Sequence, residues 1–98
     1  MTSFQIVYWR DIPAQVRAGS GRSRVSRPLS NRFQEAIDEA AMRSGRSQSD
    51  AYLAEWRTSD PAQRDGDPAA LAEALAAELE TAYPSDRLES LAAEGGVE

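Results

Sequence analysis

The chain has no cysteine, no histidine and no lysine. Without cysteine there is no disulfide framework and no thiolate nucleophile, and without histidine as well there is no Cys/His metal site. The same gaps exclude a Ser-His-Asp or Cys-His catalytic pair. No apolar run comes near the roughly 18–20 residues that span a bilayer. The opening Met1-Thr2-Ser3-Phe4 has neither the basic nor the apolar region of a signal peptide. A cytoplasmic location is therefore expected, with no membrane association, cofactor or metal. Large apolar side chains are scarce too, because 17 of the 98 residues are alanine. Fully burying a Leu or Phe contributes roughly 1.5–3 kcal/mol, against roughly 1–2 kcal/mol of backbone entropy per residue. One small domain is expected, of a kind that gains from a partner surface.

What is present is charge, unevenly placed. Eleven arginines supply all the positive side chains, and sixteen acids bring the net charge to −5. Residues 1–32 carry six of the arginines and one acid, whereas residues 58–98 carry two arginines and ten acids. Such asymmetry fits either two kinds of partner or one half of the chain shielding the other.

The N-terminal part, about residues 4–28, reads as β. Phe4-Gln5-Ile6-Val7-Tyr8-Trp9 is β-branched and aromatic, and is closed by Arg10-Asp11-Ile12-Pro13. Ala14-Gln15-Val16-Arg17-Ala18 alternates as a strand with one wet face does. Gly19-Ser20-Gly21 reads as a turn, since glycine supplies positive φ. Arg22 to Arg27 is then the returning strand, and its arginines and Pro28 suit a sheet edge.

From about residue 31 to 94 the pattern is helical. Phe33, Ala36, Ile37, Ala40 and Ala41 form a stripe at helical spacing, with Ser30 or Asn31 as cap and Gly45 as stop. This helix is expected to lay Phe33, Ile37 and Ala41 on the sheet through the strand at 4–9. A second helix is expected from about Asp50 to Arg57, with Tyr52, Leu53 and Trp56 on its apolar side. Thr58 to Gly66 reads as a polar loop. Asp67-Pro68 caps a long third helix that ends before Pro84. A short fourth helix carries Leu88, Leu91 and Ala92, and residues 95–98 read as a frayed tail.

Five features could carry function, and each has a plain structural alternative. Arg17, Arg22, Arg24 and Arg27 on one hairpin could bind phosphate or carboxylate bidentately. They could equally be a solvated edge, or be neutralised by the acidic half. Nucleic acid is one anionic partner, but a net −5 opposes a dedicated binder. Tyr8, Trp9, Arg10 and Trp56 could form an interface, where such residues concentrate. Aromatics of a strong strand are, on the other hand, the usual core. Gly19-Ser20-Gly21-Arg22 lacks the strand-to-helix setting of a phosphate loop. Asp65-Gly66-Asp67 lacks the spacing of a calcium loop. Pairs such as Asp38 with Glu39 do not distinguish a catalytic pair from a wet helix face. A non-catalytic role is preferred.

Three stretches together resemble the bacterial conserved virulence factor domain family. They are Ile6-Val7-Tyr8-Trp9-Arg10-Asp11-Ile12-Pro13-Ala14-Gln15-Val16, Arg32 to Gly45, and Asp50-Ala51-Tyr52-Leu53-Ala54-Glu55-Trp56. The resemblance spans roughly residues 4–83. It implies a small soluble bacterial accessory domain and brings no catalytic residues with it. It also implies a setting beside corrinoid- and folate-linked methyl-transfer genes, and so a small-subunit role in such a complex as one alternative. The expectation is an α+β domain over residues 1–94, with a two- or three-stranded antiparallel sheet followed by three or four covering helices. It would act as an adaptor for a larger protein or its anionic ligand, with a nucleic-acid-binding regulator as the other alternative.

Overall fold

A computed structural model describes all 98 residues. The chain is an α+β fold of five strands and four helices. β1 (Thr2–Trp9) and β2 (Ile12–Ala18) pair antiparallel, with a register shift after Val7 where Ala14 is left over as a bulge. Their connection is the two-residue turn Arg10-Asp11, in which Arg10 takes φ 54°, a conformation that favours glycine. Arginine is held there by its surroundings. Its amide donates to the Glu55 carbonyl at 3.1 Å, and its guanidinium lies over the Trp9 ring and pairs with Glu55 at 3.3 Å.

After β2 the chain makes a single turn of 3₁₀ helix at Gly21–Ser23 and returns as β3 (Val25–Pro28). The returning strand is therefore shorter than expected, and Arg22 lies in the turn. Gly19 (φ 85°) and Gly21 (φ 56°) supply the positive φ of this connection. A Cβ on Gly19 would meet the Ser23 carbonyl at 2.8 Å, so the turn also needs its bare backbone.

The sheet is wider than the two or three strands expected. β4 (Trp56–Thr58) and β5 (Ala62–Arg64) both pair antiparallel with the free side of β1, and the order is β3-β2-β1-β4 with β5 also on β1. Each is three residues long, too short for an alternation to show, and Pro61 sits between them. Their pairing is dictated by the open edge of β1 rather than by local propensity. The second helix is correspondingly shorter than expected: α2 is Ser49–Ala54, and Trp56 and Arg57 belong to β4.

α1 (Asn31–Arg43) buries all five residues of its expected stripe. Gly45 (φ 74°) stops it, with the Arg46 amide donating back to the Ala41 carbonyl at 2.7 Å. α3 (Pro68–Ala82) starts as its sequence predicts, the Asp67 carboxylate accepting from the Ala70 amide at 3.0 Å. α4 (Ser85–Ala93) follows Pro84.

Two apolar clusters form the core. Val16 and Ala18 of β2 pack on Leu71, Ala72 and Leu75 of α3. Trp9 and Ile12, flanking the β1–β2 turn, pack with the α1 stripe and with Leu88, Leu91 and Ala92 of α4. Phe33, Ile37 and Ala41 thus meet the sheet at its Trp9–Ile12 end and α4 beside it, not along β1. Residues 95–98 are not frayed. The Gly96 amide donates to the Leu91 carbonyl at 2.7 Å, and its own carbonyl accepts from the Asp11 amide at 2.8 Å. The Glu98 amide donates to the Asp11 carboxylate at 2.9 Å. The tail is a strap across the β1–β2 turn. Gly95 and Gly96, with positive φ, end α4 as the sequence predicts, the Gly95 amide donating to the Ala92 carbonyl at 3.1 Å, and the chain beyond them stays packed rather than fraying. No helix is long and apolar enough to cross a membrane.

Candidate functional site

Cross-strand partners share a face of the sheet. Pro28, Gln15, Val7 and Thr58 form one row across β3, β2, β1 and β4, and Ser26, Arg17 and Gln5 form the next. Phe4, Val16, Ala18 and Val25 lie on the opposite face, against α3. Of the two rows, only Val7 is buried; the others are half-buried or exposed. A shallow groove of about 350 Å³ opens on this face between Val7, Gln15, Arg17, Trp56, Arg57 and Thr58. Sequence reasoning missed Thr58, because it was placed in a loop. The alternation Gln15, Arg17 was the signal available for the rest of the face.

Eight of the eleven arginines are held by carboxylates within 4.0 Å. The remaining three are Arg17, Arg22 and Arg24, all on the β2–β3 hairpin, and their side chains make no hydrogen bond either. Arg22 and Arg24 are exposed and Arg17 is half-buried. Arg27 departs from the expected group of four. Its register partner is Val16, which turns it to the α3 side, where its Nε lies 2.5 Å from Glu73. The hairpin is thus neutralised at one position and free at three.

The aromatic group divides similarly. Trp9 is fully buried, stacks on Tyr52 at 5.7 Å, and donates its indole N–H to the Tyr52 carbonyl at 2.8 Å. It belongs to the core and offers no interface. Arg10 is spent on the turn and the tail, one of its Nη atoms donating to the Gly95 carbonyl at 3.1 Å. Tyr8 lies half-buried under the Arg57 guanidinium, 4.5 Å from the ring centre. Arg57 itself pairs with Asp11 at 3.2 Å. Trp56 is half-buried, edge-on to Tyr52 at 5.9 Å, and borders the groove.

The acids lie elsewhere. None of the five strands contains Asp or Glu, although the chain has sixteen. Glu35, Glu39 and Glu89 line a groove of about 380 Å³ between α1 and α4. No three carboxylates converge to hold a metal ion, and Asp67 of the Asp65-Gly66-Asp67 run serves as a helix cap.

Fold and surface together define a small α+β domain whose sheet keeps part of one face uncovered, beyond the Trp9–Ile12 end that α1 and α4 bury, and whose edge hairpin carries three unpartnered guanidinium groups. The family model described as virulence factor matches residues 7–92, and the chain belongs to that family. The matched span includes the whole β2–β3 hairpin and all four helices up to Ala92. No curated protein and no solved structure matches the chain.

Proposed function

We propose that this virulence-factor domain is a non-catalytic adaptor that engages an anionic surface of a larger protein through Arg17, Arg22 and Arg24. One observation carries the reading. An acid-rich chain pairs eight arginines internally yet leaves three unpaired on a single hairpin. A guanidinium presents five donors in a fixed fork suited to carboxylate or phosphate. Three of them on a glycine-turned hairpin form a ready surface for such groups. Nucleic acid is the weaker reading, since affinity for it grows with the number of phosphates neutralised and the chain is net negative.

The test is capture from the native host with the tagged chain as bait. The wild type should retain a defined protein, and the Arg17→Gln/Arg22→Gln/Arg24→Gln variant should lose it while staying folded. Arg27→Gln, which breaks only the Glu73 pair, should retain it. Nuclease-sensitive capture would transfer the function to nucleic acid. Equal capture by the triple variant would end the adaptor reading.

A further inference from the structure

Resting on that reading, we infer that the uncovered sheet face receives an extended acidic peptide segment of the partner, laid across β3, β2, β1 and β4. Its carboxylates meet Arg24 and Arg17, and an apolar side chain meets Trp56.

The charge of the occupant follows from the charge of the face. No strand carries an acid, so no strand side chain on this face repels a carboxylate. Of the four strand arginines, Arg27, Arg57 and Arg64 are held by Glu73, Asp11 and Glu78, and Arg17 alone is unpaired. It is half-buried on the open face, where an unanswered guanidinium is more costly than at a free tip. Ser26 pairs with Arg17 and so shares the open side with it, and Arg24, in extended backbone, immediately precedes the strand on the same hairpin.

The extended form follows from the rest of the face. Gln15 and Thr58 can each donate and accept, as a peptide backbone requires, and Gln5, whose Nε2 donates to the Ser59 carbonyl at 3.0 Å, still offers its side-chain oxygen as an acceptor. Four strands at roughly 4.8 Å spacing span about 14 Å, which four or five extended residues cross. At the far side stands Trp56, half-exposed, whereas the chain's other tryptophan is fully buried. A single aromatic bordering the groove offers one apolar contact, not the succession of stacking surfaces that single-stranded nucleic acid uses.

The experiment titrates ¹⁵N-labelled full-length protein with a synthetic peptide of glutamates around one central leucine, followed by NMR. The expected result is shifted amides at Gln5, Gln15, Arg17 and Thr58, together with a shifted Trp56 indole N–H. Arg17→Gln should weaken binding by about tenfold or more, as expected for losing a charged hydrogen-bonding partner. Arg27→Gln should leave it unchanged. Thr58→Glu, an exposed change that adds a carboxylate to the face, should abolish the shifts even if the Arg17 variant were to misfold. Shifts confined to Arg22 and Arg24 would overturn the sheet-face path while leaving the hairpin reading in place. Absence of any shift would overturn it too, with host capture deciding the adaptor reading separately. Tighter binding of oligothymidylate at the same residues would overturn the peptide as occupant.

Discussion

Glu80 joins the last turn of α3 to the first residues of α1. One of its carboxylate oxygens accepts from the Ser30 amide at 2.7 Å, and the other accepts from the Ser30 hydroxyl at 2.9 Å and from Arg32 at 3.0 Å. It therefore holds the Ser30 amide just ahead of α1, while the Ser30 side chain, expected as the cap, donates to Glu80 and accepts from none of the helix's own first amides. Partial burial pulls the Glu80 carboxyl upward, but the Ser30 bonds and Arg32 outweigh it and hold the group below the ordinary glutamate value of 4.5. The unfolded chain thus binds this proton more tightly than the folded one. The contribution is full above about pH 4.5 and is lost as the pH falls through the lower folded value. Glu80→Gln should lower the melting temperature at neutral pH, and the gap to wild type should narrow in the acid range. A gap constant from neutral pH to about pH 3 would mean that the carboxylate's charge contributes nothing. Gly96 acts through space instead. A Cβ there would lie 3.2 Å from the Trp9 ring and 3.3 Å from the Ala40 Cβ, at φ 89°. Gly96→Ala should cost about 1–3 kcal/mol by denaturant unfolding, from the left-handed backbone and the crowded contact together.

Among the elements, α1 is the one whose removal from the core would be felt most. Ile37 is fully buried between α4 and the Trp9–Ile12 end of the sheet. Ile37→Ala should destabilise by roughly 2–5 kcal/mol, and so small a domain would be largely unfolded at the high end of that range. A melting curve matching wild type would refute the packing. This helix was legible because five apolar residues repeat at its period and a glycine ends it. β1 and β2 were legible for a similar reason, through their β-branched and aromatic content. β4, β5 and the tail were not. Three-residue strands carry no period of their own, and their register comes from a neighbour distant in sequence, as when Trp9 pairs with Trp56 or Phe4 with Ala62. The tail's two glycines look like a terminus to any local rule. Their amides close α4 locally, but the partners of their carbonyls, the Asp11 amide and the Arg10 guanidinium, are brought close only by the fold. At the candidate site the sequence showed the arginine-rich hairpin. It could not show that Arg27 turns to Glu73 while Arg17 does not, because that depends on which face of β2 meets α3.

At the scale of the molecule, charge is sorted by layer. The strands hold four arginines and no acid, while α3 alone holds Glu73, Glu78 and Glu80. The sheet and its helices therefore attract one another through Arg27–Glu73 and Arg64–Glu78, both largely exposed pairs. Exposed pairs contribute about 0–1 kcal/mol each, so Arg27→Gln with Arg64→Gln should lower stability by no more than about 2 kcal/mol. Added salt should shrink that difference, since such charges are screened beyond roughly 8–10 Å at physiological ionic strength. Arg17, Arg22 and Arg24 belong to a different account. They have no internal carboxylate to lose, and replacing all three with Gln removes only their long-range attraction to the acid surplus. The triple variant should keep its melting temperature within about 4 °C of wild type, equivalent to less than roughly 1 kcal/mol for a domain of this size. A larger fall would mean that the free arginines hold the fold together through the field of the acidic helices, and the hairpin would then be structural. Stability retained with partner capture lost is the combination that a surface kept for an external anion produces.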